Sequence, residues 1–451
     1  MKQAVRGTLL SFKKDPFLYP IEECLYHEAD GIVVMENGII TKVGPAPQIL
    51  ADEDTDLRVN HHKDSFILPG FIDCHVHYPQ TEIIGAYGEQ LIDWLNKYTF
   101  VAEQKYSDFD YAFAAAEIFL EETLAAGTTT ASVFCTVDPS SVEAFFMASE
   151  RFGMRNIAGK VLMDRHAPDG LLDTAKSGYD QSKALIEKWH GRGRSLYSLT
   201  PRFAPTSTRE QMEATGALWS EFPGTYLQTH ISENLKEIEW VKELYPEADN
   251  YLDVYDRFHQ VGERAIFGHG IHLEEREVDR LHEAGASIAH CPTSNLFLGS
   301  GLFDLKGMMT REKAVRVGLA TDLGGGTSFS QFRTMGEAYK IAQLRHQSIS
   351  AFEMLYLATR GAARALYLDD TVGSLEAGFE ADIAVVDLKA TPLLEYRMEA
   401  AESVHDQLFA AMILAPDALV STTYVGGQLV MERDSYTHHA QFHHPKNISQ
   451  A

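Results

Sequence analysis

Hydrophobic and polar positions divide the chain into three stretches of different rhythm. Near the start, Gly31-Ile32-Val33-Val34-Met35-Glu36-Asn37-Gly38-Ile39-Ile40 sets an Asn-Gly pair between two β-branched runs. Asn-Gly takes the positive φ angles of a two-residue turn, so a hairpin is predicted there. The far end has the same rhythm, with strand-like runs at 381–387 and 420–425 and a Gly426-Gly427 turn before 428–430. The middle alternates short β-branched runs with longer helical patterns. The runs are 66–68 continuing into 71–73, 128–134, 156–163, 196–203, 225–233, 265–269, 287–291 and 315–322. Among the helices, one is predicted over 107–126 with Gly127 as its stop, and another starts at a Ser207-x-x-Glu210 capping box.

Eight strands alternating with helices suggest parallel βα units and an α/β fold, a (β/α)8 barrel. An open doubly wound sheet produces the same alternation. The polar residues decide, because barrels carry their chemistry at the C-terminal ends of the strands. Neither β-rich end buries a core alone, so the two are expected to pack together as a small β-sandwich. The expected organisation is residues 1–65 as the first part of that sandwich, 66–368 as the barrel, and 369–451 as its second part with a tail.

Composition narrows the class. Of 451 residues, 45% are hydrophobic and 23% charged, as in ordinary globular proteins, which sets aside disordered and fibrous chains. Asp and Glu outnumber Lys and Arg by 64 to 39, a net charge of −25. Such a chain is repelled by phosphate backbones and anionic lipid, so neither nucleic acid nor membrane is expected as a partner, whereas a neutral small molecule is. Four cysteines (24, 74, 135 and 291) form no C-x-x-C pair and read as a reducing, cytoplasmic setting. The first residues lack the apolar core of a signal peptide, and no apolar run reaches the roughly 18 residues of a membrane span. The tail carries His438, His439, His443 and His444. A metal could bind there, but a solvated or oligomer-contacting tail is the preferred reading.

The chemistry begins at Asp73-Cys74-His75-Val76-His77. Residues two apart on a strand share a face, so His75 and His77 point together into the barrel mouth and can grip one metal ion. Alone, such a pair is also what two satisfied core histidines look like. The other strand ends change the odds: His230, His269 and Asp322 each follow an apolar run. A buried aspartate without a partner is costly, and a metal relieves that cost. Cys74 falls between the metal-facing positions and reads as packing. His290 and Cys291 are adjacent and face opposite sides, against a nucleophile pair. Gly324-Gly325-Gly326 lacks the Gly-Lys-Ser/Thr of a phosphate loop and reads as close approach of backbone to the site.

Taken as a set, these residues resemble the amidohydrolase superfamily. Pro69-Gly70-Phe71-Ile72-Asp73-Cys74-His75-Val76-His77 is similar to its opening motif, and His230, His269 and Asp322 match the later positions in order. The segment from Gly373 to Asp382 resembles the return to the small β unit. Within the superfamily, four further segments resemble the guanine deaminase family: Tyr78-Pro79-Gln80, Thr200-Pro201-Arg202-Phe203, His230-Ile231-Ser232-Glu233 and Ser294-Asn295-Leu296. The fourth barrel run, 196–203, contains no lysine to bridge two metals, so a single metal is implied.

The resemblance implies hydrolytic conversion of guanine to xanthine and ammonia by a metal-activated hydroxide attacking C2, a step of purine catabolism. His75, His77, His230 and Asp322 would hold one zinc per chain, with ferrous iron as the other fitting ion. Asp322 would also take the proton from water. His269 would hydrogen-bond the nucleophile beside them rather than act as a firm ligand. Glu233 would carry a proton to N3. Arg202 would donate to O6 or N7, Gln80 would bind a ring edge, and Phe203 would stack or lend its backbone amide, with His230 and Asp322 bordering the substrate. A homodimer is also implied. The alternatives are a deaminase or dechlorinase acting on cytosine, a triazine or an adenosine derivative, and a non-enzymatic scaffold, which the complete set of polar residues disfavours.

Overall fold

The structure, a computed structural model, describes residues 2–53, 56–87 and 94–433. Both chain ends enter one seven-stranded sheet. Its order is Gln428–Glu432, Val420–Val425, Ile383–Asp387, Arg58–Pro69, Lys2–Phe12, Leu25–Glu36 and Ile39–Pro45. The predicted hairpin is present, with Asn37 at φ 52° and Gly38 at φ 84°, and pairs Met35 with Ile40. The sheet curls: Ile40 N–H reaches the carbonyl of Phe379 at 2.8 Å, and Val5, Val33, Ile67, Ile383 and Tyr424 pack together on its inner face.

The middle of the chain forms a nearly closed barrel of parallel strands. In chain order they are Phe71–His77, Thr128–Phe134, Arg155–Gly159, Leu196–Pro201, Tyr226–Ile231, Ala265–His269, Ser287–His290 and Arg316–Leu319, with a short Val161–Leu162 strand beside the fourth. Helices cover the outside. The predicted helix before the second strand spans Phe109–Ala125, capped by the Asp108 side chain, and the chain leaves it through Gly127 at φ 82°.

Three expectations need correction. Phe66-Ile67-Leu68 does not lead the first barrel strand, and residues 66–69 lie in the curled sheet, paired with residues 383–386. The passage to the barrel falls at Gly70, whose N–H binds the carbonyl of Asp382 at 2.9 Å and where a Cβ would lie 2.2 Å from Thr129 Oγ1. A short apolar run reads alike in either sheet, and Gly70 is the break between them. The helix expected to start at Ser207 is Arg209–Glu221, capped by Thr208, while Ser207 is buried. The far end of the chain is not wholly β-rich: Pro392–Glu399 and Val404–Leu414 are helices, the second packing Phe409 against Tyr339 at 5.0 Å between ring centres. The histidine-rich tail, His438, His439, His443 and His444, lies outside the described residues.

The curled sheet is joined to the base of the barrel by charge. Arg155 at the start of the third barrel strand and Arg194 before the fourth both bind Glu380, and Arg194 also binds Asp382 at 2.6 Å. Burial alone would push the Glu380 carboxyl up, but the two guanidinium groups outweigh it and hold it below the usual range.

Candidate active site

Strand alternation turns His75 and His77 inward at the C-terminal end of the first barrel strand, while Cys74 faces outward, its Sγ 3.8 Å from the carbonyl of Ala362. Across the lumen the fifth strand brings His230. His77 Nε2 lies 3.3 Å from His75 Nε2 and 3.2 Å from His230 Nε2. Asp322, after the eighth strand, sets Oδ1 3.4 Å from Nε2 of both His75 and His77. Asp322, Ser232 and His269 all have positive φ (47°, 48° and 71°). Non-glycine residues in that region carry strain that persists where neighbours fix the backbone.

The protonation pattern follows from the partners. His230 Nδ1 meets the carbonyl of Arg202 at 2.6 Å, so its proton is on Nδ1 and Nε2 offers a lone pair. Burial first, then neighbouring charge, holds His77 and His230 well below the ordinary imidazole value, and burial lowers His75. Their ring nitrogens converge, and one proton cannot serve every contact among them. Burial would raise Asp322, but the imidazoles around it, His75 foremost, bring it down to about 2. The ligand atoms of His75, His77 and His230 lie within 4.8 Å of one another, and with the Asp322 oxygen 3.4 Å from two of them these three nitrogens and a carboxylate oxygen suit a zinc-type ion.

His269, from the sixth strand, stands at the edge of the cluster. Its Nδ1 meets Asn295 Oδ1 at 2.9 Å, and its Nε2 lies 3.4 Å from Glu233 and 3.7 Å from Asp322. Burial lowers it, yet the two carboxylates outweigh burial and raise it. Glu233 follows the fifth strand. Ser300 Oγ donates to it at 2.8 Å, and Glu237 accepts from its backbone N–H at 3.0 Å. Burial pushes the Glu233 carboxyl up, favouring its protonated form.

One cavity joins this cluster to the remaining expected residues: Gln80, Arg202, Phe203 and Glu233 line it together with His77, His230, His269 and Asp322. Phe203 packs in an apolar group with Trp94, Leu95 and Leu298 that forms the cavity's greasy side. The three glycines lie against the site as expected: a Cβ at Gly324 would fall 2.1 Å from Gln80 Oε1, and one at Gly325 2.6 Å from Ser294 Oγ.

Several residues escaped sequence reasoning. Glu103 accepts from Arg202 Nη1 at 2.6 Å and from Gln80 Nε2 at 3.4 Å. It belongs to no motif, and its neighbours in sequence signal only a helix. Ser300, Trp94 and Leu298 likewise carry no pattern, whereas Glu237 sits in an Asn234-x-x-Glu237 capping box that marks a helix start but not a place in the site. Cys291 sets its sulfur among the ligand-type atoms of His75, His269 and Asp322. Burial keeps its thiol well above its ordinary value, so it is a neutral packing group there. His290 turns away from Cys291 and stacks on Phe303, 4.6 Å between ring centres.

Comparison with known proteins agrees with this arrangement. Residues 66–430 match the Amidohydrolase family. The chain is 48% identical to the guanine deaminase of Escherichia coli (strain K12) over 435 residues, covering 96% of this chain and 98% of that one. The solved structure of E. coli guanine deaminase superposes with a TM-score of 0.92 at 47% identity, covering 96% of this chain and 99% of that one. A guanine deaminase from C. acetobutylicum, solved with bound guanine in its active site, superposes with a TM-score of 0.85 at 25% identity, covering 96% and 100%.

Proposed function

The chain belongs to the guanine deaminase family of the amidohydrolases, and we propose that it hydrolyses guanine to xanthine and ammonia. The observation that carries this reading is the single cavity in which a histidine–aspartate cluster faces both a raised carboxyl group, Glu233, and a donor edge, Arg202 with Gln80. Cluster, acid and edge are the three parts that addition of water to an amino-bearing ring carbon requires.

His75, His77, His230 and Asp322 would hold one zinc per chain, and ferrous iron fits the same donors. A metal ion bound there supplies the Lewis acidity that makes water a nucleophile near neutral pH. Asp322, an ionised carboxylate beside the cluster, would take the proton from that water. His269, held by Asn295 and with its imidazole pKa raised by the carboxylates beside it, would donate a hydrogen bond to the attacking oxygen. As oxygen adds to C2 the ring loses aromaticity and negative charge builds at N3. Glu233, whose carboxyl burial pushes up towards its protonated form, would deliver a proton there. Collapse of the tetrahedral carbon breaks the C2–N bond as the amino group takes the proton held by Asp322 and leaves as ammonia, and the C2 hydroxyl gives its proton to Glu233 as it becomes the carbonyl of xanthine.

Arg202 gives the pocket a planar donor suited to O6 or N7, and a contact at O6 distinguishes guanine, with an acceptor at C6, from adenine, with a donor there. Phe203 and the apolar wall cover the ring face. The resemblance extends the proposal to a homodimer working in the cytoplasm. Among the described residues no helix is long and apolar enough to cross a membrane.

The test is incubation of the zinc-loaded protein with guanine, adenine, guanosine and cytosine separately, following ammonia release and the ultraviolet spectrum of xanthine. Turnover of guanine alone is expected. Turnover of another base and not guanine would overturn the roles given to Arg202 and Gln80 while leaving the cluster's chemistry intact.

A further inference from the structure

Behind the cavity wall lies a carboxylate that touches no substrate position. Glu103 is 1% exposed, on the short helix Phe100–Glu103. Its Oε2 accepts from Arg202 Nη1 at 2.6 Å and its Oε1 accepts from Gln80 Nε2 at 3.4 Å. Phe100 on the same helix lies under the guanidinium, 5.4 Å from ring centre to Arg202 Cζ. One helical turn therefore holds two residues that arrive from different strands, the first and the fourth.

The consequence is one of polarity. An ionised carboxylate only accepts, so a side-chain amide facing it turns its NH2 inward. For Gln80, which lines the cavity, that leaves Oε1 on the side away from Glu103, beside Gly324, where a Cβ would lie 2.1 Å from it. Arg202 has Nη1 committed to Glu103, and Nε and Nη2 have no protein partner among the described residues. We propose that Glu103 is the residue that sets the pocket's hydrogen-bond polarity, fixing Gln80 as an acceptor and Arg202 as a donor towards the substrate. The pocket then selects a flat heterocycle with a ring N–H facing Gln80 and a carbonyl or ring-nitrogen acceptor facing Arg202. This deepens the guanine deaminase reading and rests on it for the identity of the heterocycle.

Glu103→Gln is close to isosteric but reverses the logic. The new amide gives its oxygen to Arg202 and its NH2 to Gln80, which must flip and present its own NH2 to the substrate. KM for guanine is expected to rise about 10- to 100-fold, as when a hydrogen-bonding site faces the wrong partner, with kcat changed far less. Metal content and melting temperature are expected to stay near wild type. The double variant Gln80→Glu with Glu103→Gln exchanges acceptor and amide across the same contact and again turns an oxygen to the cavity. It is expected to recover most of the lost KM, whereas Gln80→Glu alone, which sets two carboxylates against each other, is expected to stay poor.

A KM for Glu103→Gln within about twofold of wild type overturns the proposal. So does a double variant no better than Gln80→Glu alone, and this comparison decides if Glu103→Gln by itself is too unstable to assay. A uniform fall in kcat and stability without a KM change would make Glu103 a merely structural residue. Wild-type turnover of guanine tests the deaminase reading separately. If guanine is not turned over, calorimetric affinities of guanine and xanthine for the wild type and the same variants still decide on Glu103.

Discussion

The backbone N–H of Asp322 donates to the carbonyl of His75 at 2.9 Å, so the last barrel strand is tied to the first at the two residues whose side chains meet at 3.4 Å. Just below, the Asp73 carboxylate accepts from Thr321 N–H at 3.0 Å, from the Thr321 hydroxyl, and from His75 N–H at 3.3 Å. A buried side chain thus supplies bonds that a ladder between strands one and eight would otherwise make. Thr321→Val leaves one oxygen of that carboxylate without its donor. Stability is expected to fall by about 1–3 kcal/mol, the cost of a buried unsatisfied group, and zinc affinity to fall with it. Urea unfolding and competition with a chromogenic chelator measure the two. Unchanged stability and affinity would mean that Asp73 closes nothing.

Metal removal separates ligands from neighbours. Dialysis against a strong chelator is expected to abolish ammonia release, and one equivalent of zinc per chain to restore it. His77→Ala and His230→Ala are each expected to lose zinc affinity by orders of magnitude, because each deletes a converging nitrogen. His269→Ala is expected to retain the metal and lose turnover, since its Nδ1 is committed to Asn295 and its Nε2 faces carboxylates. Elemental analysis of the purified variants reads this directly. Full loss of zinc from His269→Ala would move that residue into the ligand set.

Glu233 and Ser300 form a graded pair. Glu233→Gln keeps the shape but cannot deliver a proton, so kcat is expected to drop by about 10²–10⁴-fold with zinc content unchanged. Ser300→Ala removes only the 2.8 Å bond that orients the carboxyl. Its expected loss is about tenfold or less, since one hydrogen bond is worth about 1 kcal/mol. Steady-state kinetics on guanine would show this order. A Ser300→Ala variant as impaired as Glu233→Gln would place the hydroxyl in the chemistry itself.

Residues that repeat a period or end a strand were legible in the sequence. His75 and His77 share a face because strands alternate, and His230, His269 and Asp322 stand where barrels carry chemistry. Their side chains meet as that logic required. Phe66-Ile67-Leu68 was assigned to the wrong sheet because three apolar residues carry no mark of which sheet they join, and only the partner strand Ile383–Asp387 decides. Glu103 was invisible for a different reason. Its role comes from contacts 23 and 99 residues away in the chain, with Gln80 and Arg202, and no local pattern encodes them. Glu380 lies between: the segment containing it was marked by family resemblance, but its ion pairs with Arg155 and Arg194 needed the fold.

Glu237, which lines the same cavity, gives a pH test on a group outside the four residues assigned to the metal. It is buried, accepts from the backbone N–H groups of Glu233 and Asn234 at 3.0 and 3.1 Å, and receives the Tyr251 hydroxyl at 2.6 Å. Burial, and then the charge of Glu233, raise its carboxyl from 4.5 to about 7. The folded value lies above the unfolded one, so its contribution to stability is fully present below about pH 4.5 and is lost as pH rises through about 7. The loss over that window is about 3 kcal/mol for such a difference. Glu237→Gln keeps a carbonyl for the two backbone donors and turns an NH2 to the Tyr251 oxygen, but it cannot ionise. The variant is therefore expected to be less stable than wild type, or equal to it, at pH 5, and to gain on it steadily up to pH 8. Urea midpoints across that range, taken with zinc bound, measure the difference, and slopes common to both proteins cancel. A wild-type-minus-variant difference that is flat with pH would mean Glu237 is ionised throughout, and that the bonds from Glu233, Asn234 and Tyr251 outweigh its burial.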